Sequence, residues 1–406
     1  MLSLLRQRNY ALFLSGGFVS QIGTHVLIAA LPYYVYAVSH SVAASGTAVV
    51  SEILPGVLFN MAGGLFADRL PRKLALAMGN GTRGLLILPL LAVHGPSTLW
   101  IVYVVGFMNQ TVAALTGPFG SAALPHIVQA GELTTANGLL SATSSTAVLV
   151  GSPLGGWLLQ QAGLSAVVLV DAVSFAAPTL STLLINVPLE ERRRQSSSEG
   201  SHVRRLARDF LRGWQYAWQH RLVRGVFLVT TTNLLATGIF FVAFAPFVRH
   251  VLHGSAEFYS WTLTLQGVSG IAGALMMGSV SKRAGPRTLV SGGLISLGLM
   301  SLVEVLVARQ PVMLGISLLI GPPSEFIGAS QNSLLEASTE DAFRGRVSGA
   351  YGTTWSMTLL VSTSLTTVIT DHIGIRAILV CGSAILVLSG LTAMKALPAN
   401  MPHRSR

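Results

Sequence analysis

Apolar runs of about 20 residues, the length that crosses a bilayer core, recur along nearly all of this 406-residue chain. They fall near 10–37, 44–66, 74–93, 99–122, 136–161 and 164–186, and resume near 222–248, 257–280, 289–308, 311–334, 347–370 and 374–396. The spacing predicts twelve transmembrane helices and an all-α polytopic membrane protein: a six-helix bundle over 1–187, a linker over 188–221 and a second bundle over 222–406. Composition excludes the soluble alternative, because only 10% of residues are charged against about a quarter in ordinary soluble domains. The first apolar run is too long for a cleaved signal segment and reads as a retained span.

Charge placement orients the chain. Of its 26 Lys and Arg residues, 22 fall in loops on one side of the twelve-span scheme, three (Arg249, Arg309 and Arg376) on the other, and Arg83 lies inside a span. The positive-inside rule then puts both termini and the central loop in the cytoplasm. The net charge of +11 is explained by these loop clusters and does not call for a nucleic-acid partner. Cys381 is the single cysteine, so neither a disulfide framework nor a thiol metal site is expected. In the linker, Ser-rich residues 194–201 precede Val203, Leu206, Ala207, Phe210, Trp214 and Trp218 at helical spacing, with Arg204, Arg205, Arg208 and Arg212 between them. That pattern suits an amphipathic helix on an anionic leaflet, read as a tether between the halves, with lipid sensing as the alternative.

Between helices 2 and 3 the chain reads Gly63-Gly64-Leu65-Phe66-Ala67-Asp68-Arg69-Leu70-Pro71-Arg72-Lys73. The glycines let a neighbouring helix approach. Asp68 can accept charge-assisted hydrogen bonds from a cation or a helix N-terminus, while Arg69, Arg72 and Lys73 hold the loop at the headgroups. A degenerate copy, Gly278 to Arg287, follows 214 residues later between helices 8 and 9, with Gly278, Arg283 and Arg287 matching Gly64, Arg69 and Lys73. Lys282 replaces Asp68 in that copy. The loop resembles the signature loop of the major facilitator superfamily, with Pro71 where that family usually has a second Gly. The resemblance spans the whole chain and implies two related six-helix halves, with Gly64, Asp68, Arg69, Arg72 and Lys73 as a cytoplasmic latch.

Helix 5 carries Gly151-Ser152-Pro153-Leu154-Gly155-Gly156, and helix 11 begins with Phe343-Arg344-Gly345-Arg346. These are similar to the drug:proton antiporter group that includes macrolide-efflux and siderophore-export proteins, although Pro153 stands one place from the motif position. Physically, Pro153 weakens the helix ladder while Gly151, Gly155 and Gly156 make a close-packing face, so helix packing alone also accounts for them.

An ionisable group at membrane depth costs about 2.5–3.5 kcal/mol on the mildest scale and asks for a reason. Glu52 in helix 2, Arg83 in helix 3, Asp171 in helix 6 and Glu325 in helix 10 are the candidates for proton coupling. Arg83 and Asp171, of opposite sign and similar depth, read first as a structural pair within the N-terminal half. Glu325, just after Gly321-Pro322-Pro323, is expected to be buried, where the protonated form is favoured. Glu304, near the outer end of helix 9, is expected to reach the interface. Related exporters often carry an acid near the position of Gly23; here stand Thr24 and His25, and His25 reads as a structural or titrating group. The substrate cavity would be lined from Gln21, His25, Tyr34, Asn109, Asn233, Gln266, Asn332 and Trp355, of which a minority are expected to face it.

These readings combine into a secondary exporter in the cytoplasmic membrane of a bacterial type of cell. The resemblance implies that it moves an amphipathic small organic molecule outward by proton antiport, with the proton gradient in place of any cofactor and a monomer as the working unit. A facilitator or importer on the same fold is the nearest alternative. An enzyme is disfavoured, because the chain has no His-Glu-x-x-His, Gly-x-Ser-x-Gly or phosphate-binding Gly-Lys motif.

Overall fold

The computed structural model describes residues 2–67, 71–186, 211–340 and 343–399. Among them there are helices and no strands. We label the long helices α1 (Arg8–Ser39), α2 (Val42–Ala67), α3 (Arg72–Ile87, continued by a 3-10 turn Leu88–Ala92) and α4 (Trp100–Ile127). The helical stretch Leu133–Ser174 is broken at Gly163, whose φ of 75° an L side chain resists. It therefore holds two helices, α5 (133–162) and α6 (164–184, completed by Ala176–Leu184). The second half supplies α7 (Arg221–Pro246), α8 (Ala256–Val280), α9 (Pro286–Val307), α10 (Gln310–Ala337), α11 (Arg344–Ile373) and α12 (Ile375–Ala396).

Among the described residues, ten helical segments are long and apolar enough to cross a membrane, one of them the bent 50-residue stretch Thr135–Leu184 that runs through α5 and α6. The twelfth, α11, is rich in Ser and Thr. Several of its hydroxyls are turned onto its own backbone: Thr363, Thr367 and Thr370 donate to the carbonyls of Leu359, Thr363 and Thr366 at 2.9, 2.7 and 2.6 Å. These threonines are buried, and a hydroxyl that hydrogen-bonds the preceding turn satisfies its donor within its own helix.

The chain forms two compact units: Met1–Arg194 with Val248–Thr264, and Gln195–Phe247 with Leu265–Arg406. In the first, α1 packs along α5 and α6, and α3 packs on α4 and α6. Its core includes Leu31, Val35, Ile87, Val102, Val168 and Phe175. In the second, α7 packs on α11 and α12, and α9 on α10 and α12; Phe227, Val290, Leu294, Leu334 and Val347 sit in its core. The pairings α1/α6, α3/α4 and α3/α6 thus recur as α7/α12, α9/α10 and α9/α12.

The Val248–Thr264 strap comprises most of the π-helical turn Phe247–Val251, a loop with His253 at φ 51°, and the first turns of α8. Of the amphipathic linker helix, Val203 to Phe210 lie outside the described residues. The helical turns over 211–219 bury Tyr216 and Ala217 and expose Leu211, Trp214 and Trp218.

Candidate functional site

A cluster of polar and charged side chains inside the first unit surrounds a cavity of about 50 Å³. Thr24 of α1, Glu52 of α2, Arg83 of α3, Asn109 and Gln110 of α4 and Asp171 of α6 line it among aliphatic side chains. Arg83 and Asn109 are tied reciprocally: Arg83 Nε donates to Asn109 Oδ1 and Asn109 Nδ2 to the Arg83 carbonyl, both at 3.2 Å. The guanidinium also lies 4.6 Å from the Phe175 ring centroid, a cation–π distance. Asp171 is 1% exposed and has the Thr24 side chain as a hydrogen-bonding neighbour. Its Oδ1 has no hydrogen-bond partner among the described residues.

Arg83 and Asp171 therefore face one cavity without a direct ion pair. The arginine is held back by Asn109 and Phe175, and the space between has room for about one or two waters. Close packing shapes the cluster: an ideal Cβ on Gly23 would stand 3.0 Å from Asp171 Oδ1, and one on Gly106 would stand 3.4 Å from Glu52 Cγ. Two carboxylates and one guanidinium around one small cavity are groups that can take up, hold and pass a proton through water. Among the described residues, no three His, Cys, Asp or Glu side chains gather as metal ligands would.

The helix 5 glycines lie on helix-helix contacts. An ideal Cβ on Gly151 would fall 2.6 Å from the Ile22 carbonyl and 2.7 Å from His25 Cβ, and one on Gly155 2.3 Å from the Val26 carbonyl. Gly156 meets the strap instead, with the Ala256 carbonyl 2.5 Å from such a Cβ. Pro153 lies inside α5 between these contacts. His25 and Gln21 are half-buried on α1, and Tyr34 donates to the Val93 carbonyl at 3.1 Å.

In the signature loop, Asp68 and Arg69 lie outside the described residues, as do the surroundings of Gly64, which is helical within α2. The basic pair is anchored: Arg72 Nη1 lies 2.8 Å from His126 Nε2, and Lys73 donates to the Ile185 carbonyl at 2.8 Å.

Two acids of the second half are placed differently from the sequence expectation. Glu325 is exposed, because the buried stripe of α10 runs through Ile316, Ser317, Gly321, Ile327, Ser330 and Gln331 and turns Glu325 off it. Glu304, expected at the interface, is 4% exposed, and its Oε1 lacks a partner among the described residues. It follows Gly298 and Ser301 on the α9 face that packs on α10 and α12. Asn233 and Gln266 are half-buried, and Asn332 and Trp355 are exposed. None of these four joins the Glu52–Arg83–Asp171 cluster.

Sequence reasoning missed Phe175 beneath Arg83, His126 beside Arg72, and Arg249, which donates to Tyr33 Oη at 3.1 Å. Only Arg249 carried a signal, as one of the three basic residues on the sparsely charged side.

Comparison with known proteins agrees with this architecture. The family model for the Major Facilitator Superfamily matches residues 13–234 and 226–406. The multidrug efflux pump Tap of Mycobacterium tuberculosis is 23% identical over 400 residues, covering 96% of this chain and 93% of its own. Macrolide efflux protein A of Streptococcus pyogenes is 20% identical over 375 residues, 89% of each chain. Among solved structures, a bacterial homologue of the iron transporter ferroportin in an inward-facing state superposes with a TM-score of 0.77 at 15% identity, over 96% of this chain and 98% of that one.

Proposed function

The chain belongs to the Major Facilitator Superfamily, and from that premise we propose that it exports an amphipathic small organic molecule across the cytoplasmic membrane in exchange for protons. The observation that carries the coupling is Asp171, enclosed in the first unit with an unpartnered carboxylate oxygen and sharing a cavity with Arg83 and Glu52. Protonation of Asp171 removes its attraction to Arg83, so the proton biases which packing of the bundle is favoured. Glu325 is a second candidate carboxylate, on α10. Export rather than import is supported by what the relatives are called, a multidrug efflux pump and a macrolide efflux protein.

In this reading both termini are cytoplasmic, a single chain is the working unit, and the Gly64–Lys73 loop acts at the cytoplasmic face. Arg72 and Lys73, tied to α4 and to the end of α6, fix the base of that loop. Asp68 and Arg69 form the latch itself.

The test is accumulation of a panel of amphipathic dyes and antibiotics in efflux-deficient bacteria expressing the chain, with and without an uncoupler. Wild type should lower accumulation, and the uncoupler, Asp171→Asn and Asp68→Asn should each restore it. Efflux that survives the uncoupler overturns proton antiport. Uptake driven by the chain overturns export in favour of a facilitator or importer.

A further inference from the structure

A second cavity, of about 300 Å³, lies in the first unit between α1, the α5–α6 bend and the strap. That volume is at the lower end of small-molecule sites, about 300–1,000 Å³. Its walls combine Tyr33 and Tyr34 of α1, Leu159 and Gln160 of α5, and Arg249 and Ser255 of the strap. The bend keeps it open: Gly163 lines it, and nothing lies within 4 Å of where a Cβ on Gly163 would stand.

The aromatic walls are fixed before any ligand arrives. Tyr33 Oη donates to the Gly254 carbonyl at 2.8 Å and accepts from Arg249 Nη1 at 3.1 Å; its ring lies 6.0 Å from that of Tyr259. Tyr34 Oη is held by the Val93 carbonyl. Preorganised rings reduce the ordering cost of binding. Arg249 is exposed, with its Cζ 5.7 Å from the Tyr33 ring centroid. A guanidinium carries five N–H donors; one goes to Tyr33, and among the described residues no carboxylate pairs with this cation. No Asp or Glu lines the cavity.

We propose that this cavity binds an amphipathic organic anion, with Arg249 holding the anionic group and the tyrosine and leucine walls holding the apolar body. The inference goes beyond the export reading and does not depend on it, since binding is measured without transport. The anion has two possible sources, a free carboxylate and an acidic lipid headgroup, which share this chemistry.

The experiment uses the full chain in phosphatidylcholine nanodiscs, titrated with 6-fluoro-2-naphthoate and with its neutral amide, both followed by fluorine NMR. Wild type should bind the carboxylate at least about tenfold tighter than the amide, a difference of about 1.4 kcal/mol. Arg249→Gln should reduce the carboxylate to the affinity of the amide. Ala37→Phe, which fills the cavity from a lining position and leaves Arg249 in place, should weaken both probes. Repeating the titration in discs containing phosphatidylglycerol separates the sources: an unchanged affinity identifies a free organic anion, and an Arg249-dependent loss identifies the lipid headgroup. Equal binding of carboxylate and amide by wild type, or a preference that survives Arg249→Gln, overturns the proposal.

Discussion

The two six-helix halves anchor the loop between their second and third helices in the same way and then fill their interiors differently. Lys73 donates to the Ile185 carbonyl just past α6, and Arg287 donates to the Met394 carbonyl near the end of α12. Inside, the first unit gathers Glu52, Arg83 and Asp171 around one cavity. The second packs an apolar core around Phe227, Val290 and Leu294, its helices are joined by hydroxyl contacts such as Ser362 to the Leu235 carbonyl and Thr232 to Ser389, and among the described residues Glu304 is its one buried acid. A shared packing plan thus constrains helix contacts and helix ends, while the chemistry of the interior is free to diverge. Charge that can change with protonation is concentrated in the first half.

The largest expected effect breaks that asymmetry directly. An amide at 171 cannot take up or release the proton that the exchange needs, so Asp171→Asn should lower uncoupler-sensitive efflux to the level of cells lacking the chain. Glu304 lies alone, its Oε1 without a hydrogen-bond partner among the described residues, and Glu304→Gln should leave efflux within about twofold of wild type. Initial rates of dye efflux from preloaded cells compare the two variants. Equal losses would mean that both interiors carry the chemistry.

Glycines give the next contrast, in stability rather than transport. Gly155→Ala drives a Cβ to 2.3 Å from the Val26 carbonyl, and overpacking of that kind costs about 1–3 kcal/mol. Gly292→Ala on α9 meets nothing within 4 Å and should be neutral or stabilise by up to about 1 kcal/mol through helix propensity. Thermal unfolding midpoints of the purified variants in detergent should shift in opposite directions or differ by several degrees. If Gly155→Ala unfolds like wild type, α1 and α5 are not held by backbone contact at this point.

The fold was legible because spans are written in long apolar runs, and the break between the fifth and sixth helices falls at Gly163, between the runs ending at 161 and starting at 164. The N-terminal cluster was half legible: Glu52, Arg83 and Asp171 stand out as costly charges, but nothing in the sequence tells that Asn109 and Phe175 hold Arg83 away from a direct pair with Asp171. Glu325 and Glu304 depart from the sequence expectation in opposite senses, the first exposed and the second buried. Depth along a helix can be counted from the sequence, whereas the direction a residue faces depends on which stripe its neighbours bury, and Gly/Ser-rich helices such as α9 and α10 offer no strong amphipathic signal. The sequence marks Arg249 only as a charge that orients the chain, since its partner Tyr33 lies 216 residues away.

The smallest effect tests the repeat itself. Lys73→Met and Arg287→Met each remove a cation that donates to a carbonyl at or just beyond a helix C-terminus, an interaction worth about 0.3–1 kcal/mol. Because the two side chains serve the sixth helix of their own half in the same manner, the two losses should be similar, and the double variant should show their sum within about 0.5 kcal/mol, as distant sites do. Denaturant or thermal unfolding of the two single variants and the double variant measures this. Equal, additive losses would show that the anchor is a structural inheritance of both loops. The functional difference between the loops would then rest on the one position where they are opposed in charge, Asp68 against Lys282, and Asp68→Asn should impair efflux where Lys282→Asn does not. A loss confined to Lys73 would instead mean that anchoring, and not the acid alone, distinguishes the first loop from its copy.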